Sequence, residues 1–223
     1  MRERLAAVRE RIGRAAERAR RDPAEITLLA VTKVFPAKVI REAYELGLRE
    51  FGENYVQEAI AKRAALTHLL GMRWHMIGHL QSNKARAAVE NFALVHTLDG
   101  VRLANALARV RPAPPMPVLV EVNLGGEASK SGVSPGAVAG LIESVRAIVE
   151  VRGLMTIPPP AANPAAARHW FAQLRELRER TAAACGLALR ELSMGMSEDY
   201  EAAIEEGATI VRVGRAVFGE RPG

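Results

Sequence analysis

Eight times between residues 26 and 213 a short apolar run of strand length recurs: 26–32, 48–51, 73–77, 94–97, 118–122, 151–156, 189–194 and 209–213. Each of the first seven is followed by a polar turn and a segment of helical periodicity. A chain that alternates in this way builds a parallel sheet, because each helix carries it back across the sheet in a right-handed crossover. Eight units in 223 residues match a closed (β/α)8 TIM barrel better than an open doubly wound sheet. No Gly-x-Gly-x-x-Gly follows the first strand, which weakens a dinucleotide-binding reading. The eighth strand leads only into residues 214–219, room for one helical turn. Residues 2–21 supply the missing outer helix, with Leu5, Val8, Ile12, Ala15, Ala16 and Ala19 at intervals of three and four. The whole chain, 1–223, is read as one barrel domain.

Punctuation supports the alternation. Asp22-Pro23 ends the first helix, Pro36 opens the second and Gly47 stops it. Asp99, Ser134 and Ser197 stand where N-caps are expected, for helices reaching Arg109, Ile148 and Glu206. The segment 112–117 and the run Pro158-Pro159-Pro160 are stiff connections, and a long helix from about Pro164 to Ala184 is ended by Gly186.

Composition narrows the class. With 49% hydrophobic and 25% charged residues the chain has ample core and is not disordered. The net charge of +6 comes from 31 basic residues interleaved with 25 acids, and the densest cluster, residues 2–21, reads as a solvated helix face. With five Phe, two Trp and three Tyr, stacking platforms for nucleic acid are scarce, so no nucleic-acid partner is expected. The single Cys185 cannot form an internal disulfide and reads as a small buried residue; no Cys/His cluster has metal-ligand spacing, so no metal is expected. There is no signal-peptide h-region and no run of about 20 apolar residues, which points to the cytoplasm and away from a membrane.

In such barrels the functional face lies at the C-terminal ends of the strands. Lys33 ends strand one, Asn54 follows strand two, His79 and the Gln81-Ser82-Asn83-Lys84 turn follow strand three, and Lys130 follows strand five. Ser197 follows strand seven, and Arg212, Gly214 and Arg215 close strand eight. On the opposite rim the connections are as plain as Leu46-Gly47. Lys33 either marks where its strand meets water or is an amine for Schiff-base chemistry, which needs its pKa lowered from about 10.4. Ser197 either caps a helix or, with Gly214 and the backbone of Arg215, forms part of the phosphate site that barrels place after strands seven and eight. A phosphate cradle facing a Schiff-base lysine describes pyridoxal 5′-phosphate. Arg212 is either a strand-end arginine paired with an acid or the donor to that cofactor's pyridine nitrogen, which it would leave unprotonated. His75 reads as a core histidine and His79 as a cofactor neighbour.

Val31-Thr32-Lys33, Phe51-Gly-Glu-Asn54-Tyr-Val-Gln-Glu58, Trp74-His-Met-Ile-Gly-His-Leu-Gln-Ser-Asn-Lys84, Ser129-Lys-Ser-Gly132, Gly153-Leu-Met155, Ser193-Met-Gly-Met-Ser197 and Val211-Arg-Val-Gly214 together resemble the pyridoxal phosphate homeostasis proteins, relatives of the N-terminal barrel of alanine racemase. The resemblance covers nearly the whole chain. It implies pyridoxal 5′-phosphate on Lys33, Asn54 near the ring, Arg212 at the pyridine nitrogen, and Ser197 with the backbone of Gly214 and Arg215 at the phosphate. Lys130 matches a position proposed to hold the cofactor outside the main site. It also implies a monomer that buffers or delivers the cofactor, with recipient apo-enzymes as partners. Two residues depart from the family pattern: Phe35 where many members have a second lysine, and Arg215 where a small hydroxyl residue is common. The chain ends at Gly223, just after strand eight, and no second acid/base group is in view, so little or no turnover is expected. The alternatives are a fold-type III pyridoxal phosphate enzyme such as an amino-acid racemase, and a cofactor-free Schiff-base aldolase.

Overall fold

In the computed structural model, residues 1–111, 113–127, 130–159 and 163–220 are described. Pro112, Ser129, Pro160 and Gly223, which figure in the sequence reading, lie outside them. The order is α1 (Arg2–Arg18), β1 (Thr27–Val31), α2 (Ala37–Glu45), β2 (Glu50–Glu53), α3 (Val56–Ala65), β3 (Arg73–Met76), α4 (Ala85–Asn91), β4 (Leu94–Leu98), α5 (Val101–Val110) and β5 (Pro117–Glu121). Then follow α6 (Val138–Val145), β6 (Glu150–Met155), α7 (Pro164–Cys185), β7 (Glu191–Ser193), α8 (Tyr200–Glu205), β8 (Ile210–Val213) and α9 (Arg215–Phe218). The eight strands close in sequence order, and β1 pairs in parallel with β8 through Thr27 to Ala30 against Ile210 to Val213. This is the α/β TIM barrel expected.

Strand parity sorts the side chains. Ala30 on β1, Phe51 on β2, Trp74 on β3 and Val211 on β8 belong to the large core between sheet and helices, with Phe51 and Trp74 in ring contact at 5.5 Å. Leu29, Ile77, Leu94, Leu119, Met155 and Ile210 form a separate small core inside the barrel. The parity of Leu29 and Val31 continues inward to Lys33, and that of Ile210 continues to Arg212.

The gap after β8 is covered by α1, which buries Leu5, Val8, Ile12, Ala15 and Ala16. Its charged residues are not merely solvated. Arg4 donates to the carbonyls of Val217 and Phe218, Arg21 beyond the helix end donates to those of Ile204 and Ala208, and Arg11 and Arg18 pair with Glu201 and Glu205. These arginines clamp α8 and α9 to the N-terminal helix.

Three expected caps are not made. The helix after Asp99 starts with Gly100 in the cap position, Ser134 makes no side-chain cap bond and precedes a 3-10 turn at Pro135–Ala137, and the cap position of α8 is Asp199 rather than Ser197. The helix expected to reach Ile148 ends at Val145, and α1 ends at Arg18 rather than residue 21 because Arg20 turns left-handed at φ 55°. Among the described residues no helix is long and apolar enough to cross a membrane.

Candidate functional site

Lys33 sits at the tip of a tight turn held from outside the barrel. Thr32 is fully buried, and its hydroxyl donates to Glu53 Oε1 at 2.5 Å. Lys62 of α3, only 7% exposed, donates to Thr32 O at 2.7 Å and to Glu53 Oε1 and Glu58 Oε1 at 2.6 Å each. Glu58 Oε1 also accepts the Val34 N–H at 2.6 Å. Val34 has φ 65°, a conformation that costs a β-branched residue about 1–3 kcal/mol and persists only where the surroundings enforce it. The Lys62 network therefore fixes the backbone on both sides of Lys33. Burial pushes the Glu53 carboxyl up, while Lys62 and Thr32 pull it back.

Of its two readings Ser197 does not take the cap of α8; it turns to the loop after β8, where its partners are Gly214 and Ala216 rather than Arg215. Its Oγ accepts the N–H groups of Gly214 and Ala216, each at 3.3 Å. Gly195 makes this possible: at φ 88° it lets the loop lie on α8, where a Cβ would fall 2.9 Å from Tyr200 Cα. Asp199 takes the local role, accepting the Met196 N–H at 2.6 Å. The two N–H groups after β8 thus converge on one point through long bonds that an anionic oxygen can replace.

Arg212 is 4% exposed and donates through Nη1 to Ser193 Oγ and through Nη2 to Thr156 O, both at 2.8 Å. Burial lowers its guanidinium to about 10, opposed by Asp199 and Glu121, so it stays charged at neutral pH. Arg215 pairs with Glu198 at 2.6 Å on the exposed rim of the same mouth. Phe35 lies in the core against Phe218, ring centroids 5.0 Å apart, and so offers nothing to the mouth.

Lys33, Asn54, Ser197, Arg212, Gly214 and Arg215 all line one cavity of about 170 Å³ at the C-terminal mouth of the barrel. His79 and Lys130 do not. They line an adjoining cavity of about 260 Å³ that shares Asn54, Ile77 and Ile157 with the first. There His79 pairs with Asp99 at 3.3 Å, and Lys130 with Glu127 at 2.5 Å. Gly78 allows this close packing, since a Cβ there would lie 2.3 Å from the Asn54 carbonyl oxygen.

Sequence reasoning missed Lys62, which four residues after Glu58 on a helix looks like half of an ordinary surface pair. It also missed Glu121, which ends β5 as Lys33 ends its strand, and whose inward parity was the available signal. Glu121 is 8% exposed and its Oε2 has no hydrogen-bond partner among the described residues, and burial together with Asp99 raises its carboxyl to about 7. Val34, Tyr55, Ile157 and Met196 are exposed. They lie on the loops at this mouth.

A model of the family described as "Alanine racemase, N-terminal domain" matches residues 4–222. A closed α/β barrel of the alanine racemase N-terminal kind is the class so defined. Proteins named pyridoxal phosphate homeostasis protein are similar along nearly their whole length. The one from Pseudomonas aeruginosa is 50% identical over 98% of this chain and 95% of its own, and that from Aquifex aeolicus 47% identical over 98% and 97%. Among solved structures, PipY of Synechococcus elongatus without pyridoxal phosphate superposes with a TM-score of 0.88 at 41% identity, covering 98% of this chain and 100% of that one. Its form with pyridoxal phosphate bound gives 0.86 at the same identity, with 98% and 99% coverage. Alanine racemase of Corynebacterium glutamicum shares the fold, with a TM-score of 0.71 at 20% identity over 97% of this chain and 62% of that chain. The chain belongs to the alanine racemase N-terminal domain family and, within it, to the pyridoxal phosphate homeostasis proteins.

Proposed function

We propose that this protein binds pyridoxal 5′-phosphate in the cavity at the barrel mouth, as a Schiff base on Lys33, and holds it for delivery to other proteins with little or no turnover of its own. The observation that carries the reading is that Lys33, Arg212, Ser197 and Gly214 meet around one cavity, with the N–H groups of Gly214 and Ala216 converging on Ser197 Oγ. The donor set fits the group. A phosphate suits the N–H pair beside Ser197, a ring nitrogen suits an arginine that can only donate, and an aldehyde suits the primary amine. The cofactor, when bound, supplies an aldehyde that condenses reversibly with amines. The chain's own residues do the rest. The Lys62 network holds the backbone that carries Lys33, Ser197 and the two N–H groups hold the phosphate end, and Arg212 keeps a charge at the ring end without releasing a proton. The similarity to PipY, solved with pyridoxal phosphate bound, and the names of the relatives support holding and supply over conversion. A single cytoplasmic barrel domain acting as a monomer, with apo-enzymes of this cofactor as recipients, completes the proposal.

A second reading, an amino-acid racemase, draws on one feature. Glu121, with a carboxyl near 7 on the adjoining cavity, has the property required of a general acid/base group. Both readings are tested on the purified protein. Adding pyridoxal 5′-phosphate gives a yellow, saturable absorption band. Incubation with L-alanine produces no D-alanine on the first reading, and steady isomerisation lost in Lys33→Ala on the second. A protein that stays colourless after the addition overturns both.

A further inference from the structure

The interior of a small barrel is ordinarily filled by layers of apolar side chains. Here a polar column crosses it. Arg212 Nη1 lies 2.8 Å from Ser193 Oγ, Ser193 Oγ 2.9 Å from His96 Nδ1, His96 Nε2 2.9 Å from His75 Nδ1, and His75 Nε2 2.7 Å from Glu50 Oε2. The five residues come from β8, β7, β4, β3 and β2, so the column runs from the mouth to the opposite rim, where Glu50 meets Arg73 at 3.3 Å. His75, His96 and Ser193 are buried to within 2% of complete exclusion from solvent. Polar groups so placed are tolerated only when each is satisfied, and every link in this column has a partner.

We propose that Ser193, His96, His75 and Glu50 form a one-way hydrogen-bonded chain that positions Arg212, tying the mouth of the barrel to the carboxylate at its far rim. The direction follows from the donors. A guanidinium only donates, so Ser193 Oγ accepts from Arg212 and its own hydrogen goes to His96 Nδ1. Burial, with His75 and Arg212 nearby, holds the His96 imidazole well below its ordinary value, so it is neutral. Its proton is then on Nε2 and is given to His75 Nδ1. His75 carries its proton on Nε2 in turn and gives it to Glu50. The reverse order would require an additional proton on the His75 and Glu50 pair and would leave the Ser193 hydrogen without an acceptor in the column. Ser193, His96 and His75 are positioning residues: they act on the ligand only through Arg212. The effect on the cofactor rests on the function proposed above, whereas the direction of the chain does not.

Two measurements test it. In ligand-free protein labelled with ¹⁵N in its histidine rings, long-range ¹H–¹⁵N correlation spectra at neutral pH are expected to show His75 and His96 as neutral Nε2–H tautomers. A proton on Nδ1 of either ring, or a cationic ring, overturns the chain. Second, Ser193→Ala removes the acceptor that holds Arg212 and is expected to weaken pyridoxal 5′-phosphate binding about tenfold, the usual effect of losing one hydrogen bond to a charged group. Ser193→Thr, which keeps the hydroxyl, recovers most of it. Unchanged affinity in Ser193→Ala, checked as folded by its unfolding midpoint, overturns the positioning role. Correct tautomers in a protein that never turns yellow would defeat the cofactor reading and leave the chain standing, and wrong tautomers in a yellow protein would do the opposite.

Discussion

Lys62→Met is the substitution that most sharply probes how Lys33 is held. Met keeps much of the Lys stem and removes the ammonium, deleting bonds to Thr32 O, Glu53 Oε1 and Glu58 Oε1 at 2.6–2.7 Å. Glu53 is then a fully buried carboxylate whose remaining side-chain partner is the Thr32 hydroxyl, and among the described residues its Oε2 already has none. Removing one member of a buried ion pair destabilises by about 3–5 kcal/mol, whereas replacing both members is close to neutral. Urea unfolding at pH 7 should therefore show Lys62→Met less stable by about 3–5 kcal/mol at an unchanged m-value, a large part of the roughly 5–15 kcal/mol of a whole domain. Lys62→Met/Glu53→Gln should recover at least half of the loss. In Lys62→Met the left-handed Val34 also loses part of what enforces it, so pyridoxal 5′-phosphate binding should weaken more than in the double variant. A loss under about 1 kcal/mol, or a double variant worse than the single one, would refute this account of the turn.

Other expectations follow from single sites. Glu121 takes up its proton near pH 7 when folded and near 4.5 when unfolded, so between these values the native state binds more protons and stability falls as pH rises. At about 1.4 kcal/mol per pH unit, Glu121→Gln should match the wild type below pH 4.5 and exceed it by about 3 kcal/mol above pH 7, and parallel stability curves would contradict the assignment. Ser197→Ala removes a hydroxyl beside the anion cradle, so affinity for pyridoxal 5′-phosphate should drop about tenfold while affinity for pyridoxal, which lacks the phosphate, stays the same. An equal loss for both would move the phosphate elsewhere.

The residues legible in the sequence are those that end an apolar strand. Lys33 follows β1, Arg212 lies near the end of β8 and Gly214 just after it, all on the parity that points into the barrel, and a parallel barrel leaves one rim for them. Residues whose partners lie far along the chain were read by local rules and came out differently. Ser197 has ideal capping chemistry, but the N–H groups of Gly214 and Ala216, 17 and 19 residues on, compete for its oxygen and Asp199 is free to take the cap position. Asp99 likewise faces His79 instead of capping α5. The arginines of residues 2–21 alternate as on a solvated face, yet Arg4 and Arg21 end on backbone carbonyls because the barrel brings α8 and α9 beside them. His96 and Glu50 gave no signal, since nothing in their own strands announces a polar column shared among five.

Everything proposed for this site turns on covalent binding of the cofactor to one particular amine. The direct measurement is to saturate the wild-type protein with pyridoxal 5′-phosphate, reduce it with borohydride, and locate the added mass by peptide mapping. One pyridoxyl group per chain, on Lys33, is expected. Modification spread over other lysines such as Lys130, or a protein that saturates with the cofactor and carries no added mass after reduction, would contradict it.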